Sequence, residues 1–181
     1  MRPVYRLEGE RIILREYRKE DYAHMREWVN DYEITQYLSN IFLYPHSEIA
    51  TESFLNNMIE GRAKGFVIAH KSNGEYIGQV DLIDIDWPNR VGTIGIVIGS
   101  KDNLSKGYGT EAINLLQYFA FNKLNLNKLE LEVRAHNERA ISCYKKCGFQ
   151  IEGRIRENFY DKGKYTDTLT MGILKREWQK V

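Results

Sequence analysis

The segment Leu104-Ser105-Lys106-Gly107-Tyr108-Gly109-Thr110 carries small residues at 105, 107 and 109, just ahead of a long run with helical periodicity. Small side chains let backbone N–H groups approach a ligand closely. A helix start adds unpaired N–H groups and the positive end of the dipole, which favour an anion. With Lys106 beside it, the segment reads as a pyrophosphate cradle. It reads equally as a flexible, glycine-containing helix entry, because short glycine motifs match by chance. It also fits a dinucleotide fingerprint, Gly107-x-Gly109-x-x-Ala112, with Glu132 twenty positions beyond. That NAD-binding oxidoreductase reading is disfavoured. Gly99–Lys106 intervenes between strand and glycines, and Glu132 falls inside a strand rather than at its end.

Asn137 and Tyr144 are seven residues apart, so a helix places them on one face, two turns from each other. Asn137 fits a helix N-cap and Tyr144 a core aromatic; each also fits a site that positions a ligand. Asp81 and Asp84 are candidate general bases on one strand, and strict alternation sends them to opposite faces. Each fits equally a solvated strand-end acid. Cys143 and Cys147 lie one helical turn apart; no second pair completes a tetrahedral metal site, so they read as free thiols. No metal is expected.

These residues need elements to hold them. Arg11–Arg15 reads as a strand and Lys19–Val29 as a helix. Ser47 caps a helix that stops near Gly61. Strands follow at 66–70, 76–86 and 91–98, then a polar loop from Gly99 to Lys106 and a helix from Gly107 to Asn122. Leu129, Leu131, Val133 and Ala135 alternate with charged residues, a half-buried strand. A helix from Asn137 ends at Gly148, and strands near 150–160 and 164–175 close the chain. The order predicts one domain over 1–181, an α/β fold with a mixed sheet.

Composition narrows the function. The 181 residues are 43% hydrophobic and 28% charged, with 26 Lys+Arg against 25 Asp+Glu, a formal net charge of +1. Nothing here makes an electrostatic footprint for nucleic acid. The N-terminus MRPVYRLEGER has no apolar stretch of a signal peptide, and no run is long enough to span a bilayer. A cytoplasmic protein is expected.

Together, two segments resemble the GNAT superfamily of N-acetyltransferases. Leu104–Gly109 matches that family's Gln/Arg-x-x-Gly-x-Gly/Ala motif, with Leu104 and Ser105 as departures. Asn137–Phe149 matches Asn-x-x-Ala-x-x-x-Tyr-x-x-x-Gly-Phe without gaps. Gly153-Arg154 through Gly163, with Tyr165, Asp167 and Trp178, is similar to the branch of ribosomal-protein N-terminal and spermidine acetyltransferases. Thr93 stands where many relatives carry a glutamate base.

The resemblance implies a mostly antiparallel sheet flanked by helices, in which the strand holding Thr93–Ile98 splays from Lys128–Ala135. It implies acetyl-CoA with its pantetheine along Val97 and Ile98 and touching Asn137. Its pyrophosphate would lie on Leu104, Ser105, Lys106, Gly107, Tyr108, Gly109 and Thr110, and Tyr144 would face the thioester sulfur. An amine would attack the thioester directly, without an acyl-cysteine. The expected acceptor is a peptide α-amine, since Thr35–Arg62 holds Glu48, Glu52 and Glu60 but no dense acidic cluster. Spermidine-type or other small amines are the alternative, and a non-catalytic acyl-CoA sensor a further one. Family analogy implies a homodimer.

Overall fold

In the computed structural model, which describes residues 5–178, one eight-stranded sheet runs in the order β1-β2-β3-β4-β5-β6-β8-β7. The strands are β1 Leu7–Glu8, β2 Ile12–Arg15, β3 Lys64–His70, β4 Tyr76–Asp86, β5 Val91–Ile98, β6 Lys128–Arg134, β7 Gln150–Asp161 and β8 Lys164–Leu174. All neighbours are antiparallel except β5 and β6. The ends of the expected 1–181 domain lie outside the described residues.

Alternation along the strands feeds two apolar layers. Leu82, Ile94, Leu129, Leu131, Leu169 and Met171 join a core under α4 (Tyr108–Tyr118) and α5 (Glu138–Lys146). Ile13, Val67, Ala69 and Tyr76 face the opposite way, under α1 (Asp21–Trp28) and α3 (Glu48–Ile59). Ser47 caps α3 by accepting from Ala50 N–H, as its type and place predict.

The differences from expectation have local causes. α1 starts at Asp21 rather than Lys19, because the Asp21 carboxylate is held by Arg15 at 2.8 and 3.0 Å and by Arg18 N–H. β1 and the short α2, Tyr32–Thr35, carry no periodic signal of useful length. α4 stops at Tyr118 and widens into a π turn over Phe119–Lys123, closed by Leu124 N–H to Phe119 O.

The sheet departs from regularity most usefully in β4. Leu82 pairs with Ile94 but Asp84 pairs with Thr93, so Ile83 is an extra residue, a β-bulge. Leu82 and Ile85 therefore both reach the α4–α5 core. Asp84 lands on the face of Thr93 and Gly95, and Gly95 is the partner of Asp81. The expectation that Asp81 and Asp84 point to opposite faces is corrected: the bulge puts both on the face opposite α4 and α5.

Candidate active site

Among the described residues, the sheet opens at its one parallel seam. β5 and β6 are paired at Val91–Lys128, Gly92–Leu129 and Thr93–Glu130, and not beyond. From there Ile94–Ile98 and Leu131–Arg134 diverge, the splay that the sequence leads one to expect. Ile96, Val97 and Ile98 are half-exposed although they lie mid-sheet. Their backbone is paired to β4 on one side, leaving the edge toward β6 open. An extended chain with amide groups can pair with such an edge as a strand would.

The glycine loop sits at one mouth of this gap. Gly107 is the N-cap of α4 with φ 86°, a left-handed conformation that glycine adopts without penalty. Ser105 adopts φ 60° without that freedom, which explains why glycine suits the position. The loop is anchored from β2: Arg11 donates to Lys106 O at 2.8 Å and to Glu111 Oε2 at 3.1 Å. Glu111 in turn accepts from the Arg11 and Ile12 N–H groups. Ser105, Lys106 and Gly107 stay exposed, so their N–H groups can meet an anion. Leu104 instead packs toward the α1–α3 layer, and Tyr108 against the other core. Nothing in the sequence signals the Arg11–Glu111 anchor, since its partners are a hundred residues apart.

A Cβ on Gly109 would sit 3.6 Å from Cys143 Sγ and 3.8 Å from Ile96 Cδ1, ordinary contact. Gly109→Ala should therefore fold normally, while the branched Gly109→Val crowds the groove. Titration calorimetry with acetyl-CoA should give near wild-type affinity for Ala and at least about tenfold weaker binding for Val, the loss of about 1.4 kcal/mol. Equal affinity in Val would remove the loop from the site.

On the β6 side of the same wide end, Asn137 accepts from Ala140 N–H at 3.2 Å as the N-cap of α5. Its amide nitrogen makes no hydrogen bond among the described residues. Tyr144, two turns on, is 9% exposed and packs beside Phe149. Its hydroxyl has no hydrogen-bond partner among the described residues and keeps some contact with solvent. A buried ring whose hydroxyl finds no protein partner is unusual for a core tyrosine, whose O–H generally finds one. Burial pushes its pKa well up.

Both thiols are free, and each has a polar neighbour. Cys143 Sγ is 3.4 Å from Thr110 Oγ1. The hydrogen bond with Cys147 holds the Cys143 thiol below its ordinary range and pushes Cys147 up. Both lie at the α4–α5 contact. A Cys143→Ser, Cys147→Ser double variant should keep its turnover in a steady-state assay; an acetyl-cysteine trapped on the wild type and competent to reach product would overturn this.

The opposite face of the sheet, toward α1 and α3, is where the paired carboxylates collect. Tyr17 donates to Asp81 Oδ1 at 2.6 Å and Gln79 Nε2 to Oδ2 at 3.0 Å. Gln79 accepts from Tyr76, which accepts from Trp28 Nε1. Desolvation outweighs these bonds and raises the Asp81 pKa to about 7. Asp84 is exposed. On β6, Glu130 and Glu132 share this face, since Thr93 pairs with Glu130 and the intervening Leu129, Leu131 and Val133 fill the core. A Cβ on Gly172 would meet the Glu152 carboxylate at 2.7 Å, so Glu152 lies there too. Lys128 is paired to Glu152 and Glu130 at 2.7 and 3.2 Å, and Glu132 forms no ion pair among the described residues. The signal for this face is the period-2 run Glu130, Glu132, which the sequence shows only as the charged side of a half-buried strand, with Glu132 also weighed as a dinucleotide-binding acid.

Comparison with known proteins fits this arrangement. The acetyltransferase (GNAT) domain family matches residues 11–150. The chain belongs to the GNAT family. It is 31% identical over 174 residues to an uncharacterised N-acetyltransferase of Bacillus licheniformis, covering 93% of this chain and 96% of that one. It is 30% identical over 169 residues to spermidine N(1)-acetyltransferase of Escherichia coli, covering 92% and 88%. The crystal structure of spermidine N-acetyltransferase from Vibrio cholerae, in complex with CoA and spermine, superposes with TM-score 0.81 at 28% identity, covering 93% and 98%. The GNAT chain is thus an N-acetyltransferase, which corrects the oxidoreductase and sensor alternatives. Physically, the NAD reading fails because Glu132 points away from α4 and the sheet is mostly antiparallel. No helix among the described residues is long and apolar enough to cross a membrane.

Proposed function

We propose that this N-acetyltransferase moves an acetyl group from acetyl-CoA directly to a primary amine of an aliphatic, multiply charged acceptor of the polyamine type. The observation that carries the reading is the acidic acceptor face: Asp81, Asp84, Glu130, Glu132 and Glu152 against Lys128 and Arg134. The expectation of a single α-amine rested on the lack of a dense cluster of acids in Thr35–Arg62. The strands supply them instead.

The chemistry asks for a base in proportion to the acceptor. An α-amine, pKa about 7.7–8.0, is partly neutral at pH 7; an alkyl ammonium near 10.4 is neutral in about one molecule in 2,500, a cost of about 4.6 kcal/mol. Asp81, with its pKa near 7, is ionised about half the time at neutral pH and suits removal of that proton, directly or through water. The freed amine attacks the acetyl carbonyl, and the C–S bond breaks toward the Tyr144 hydroxyl. Pyrophosphate on Ser105–Thr110, pantetheine along Val97 and Ile98, and Asn137 at its side complete the cofactor's path.

The test is turnover with acetyl-CoA, read as free thiol, against spermidine, putrescine and peptides with free N-termini. Spermidine should exceed any peptide in kcat/KM by at least about tenfold, two neighbouring carboxylates contributing roughly 1.4 kcal/mol at a solvated face. A peptide that outruns spermidine would return the α-amine reading.

A further inference from the structure

The acidic run along β6 ends abruptly at Arg134. Arg134 follows Glu130 and Glu132 on the same face, at the wide end of the gap. Its guanidinium lies 3.8 Å from the centre of the Phe159 ring. It donates to Thr168 Oγ1 at 3.2 Å and, at 3.4 Å each, to Leu38 O and Asn40 Oδ1. No carboxylate pairs with it among the described residues. Beside Phe159 stand His136, stacked at 6.5 Å, and Tyr37, 5.5 Å from His136. An aromatic face at the end of an acidic strip is a natural seat for an ammonium group. Here the protein's own cation occupies it.

We propose that Arg134 determines how much positive charge the acceptor carries, which rests on the polyamine reading above. A monoamine over Glu132 feels mostly attraction. A second ammonium, carried further along β6, meets a guanidinium where the ring would otherwise receive it. Arg134 thereby favours acceptors of low charge within a face that otherwise attracts cations. It also tethers the Leu38–Asn40 stretch of the α1–α3 side, so the test must separate charge from tethering.

Butylamine and putrescine have the same chain length and differ by one ammonium. Arg134→Gln should raise the putrescine-to-butylamine ratio of kcat/KM about fivefold, the Coulomb change between unit charges about 8 Å apart at a half-solvated site. The rise should grow at low salt, where screening weakens. Arg134→Lys keeps the charge and loses the planar fork, so both rates should fall while the ratio stays at the wild-type value. A ratio unmoved in Arg134→Gln, or moved equally in Arg134→Lys, would reduce Arg134 to a tether. If the wild type acetylates no alkylamine, the acceptor reading has failed separately. The same ratio is then read from two peptides, one with Lys and one with Gln at the second position. A shift toward the Lys peptide in Arg134→Gln upholds the proposal and no shift sinks it.

Discussion

Tyr144→Phe should lower kcat by about 10²–10⁴, the span for a positioned acid, while acetyl-CoA affinity changes little. The variant removes one oxygen and keeps the ring against Phe149 and the surrounding core. In a thioester the sulfur accepts hydrogen bonds weakly, and the hydroxyl gains value only as charge develops on it. The raised pKa decides how that value is delivered. A free tyrosine, pKa about 10, already transfers its proton uphill to a thiolate whose conjugate acid is near 8.5. Burial makes the transfer steeper. Tyr144 should therefore stabilise the leaving thiolate by a short hydrogen bond, with the proton passing late. Single-turnover rates with saturating substrates are the measurement, because slow product release would mask the loss. A Phe variant within about threefold of wild type, far short of that span, would return Tyr144 to the core.

Replacing Asp81 with Asn should cost about 10²–10³ in kcat/KM for an alkylamine and less for a peptide α-amine, which needs less help. The wild-type profile should fall about tenfold per pH unit below 7, where Asp81 is protonated. The variant should lose that limb and keep only the acceptor's own titration. Stability provides an independent reading. Asp81 has a folded pKa above its ordinary value of 3.8. Between about pH 4 and 7 the folded state thus holds a proton that the unfolded state has released, so wild-type stability falls as pH rises through that window. Asn has no such loss. The Tm difference, variant minus wild type, should grow with pH from 4 to 7 and then level off. A difference independent of pH would show that Asp81 is not a raised acid, and an unchanged activity limb would show that it is not the base.

What the sequence made legible follows the range of the interaction. β6 and α5 are readable because their signals are local: the alternation of Leu129, Leu131 and Val133 with charged residues, and the cap–glycine pair Asn137 and Gly148. The glycine loop was legible as a candidate but not its anchor, since Arg11 and Glu111 meet only through folding. Tyr17, Gln79 and Tyr76 form the setting of Asp81 through pairings across β4 and the α1 side, and no spacing in the chain announces them. Specificity tends to live in loops, which points to the segment 35–62 as the source of acceptor-binding acids. The acids of the proposed acceptor face alternate along β6 instead.

The bulge at Ile83 bears on whether such an enzyme could change acceptor by losing one residue. Side-chain direction in a strand is a two-state phase, and one extra residue advances it by half a cycle. Removing the single codon for Ile83 would restore the regular phase. Leu82 and Asp84 would become neighbours in the chain and alternate as their register already does, so Leu82 and Ile85 would stay in the α4–α5 core and Asp84 on the opposite face. That face would keep its charge, so losing this residue offers no route to a new acceptor, and β4 can change length here without changing which acids it presents.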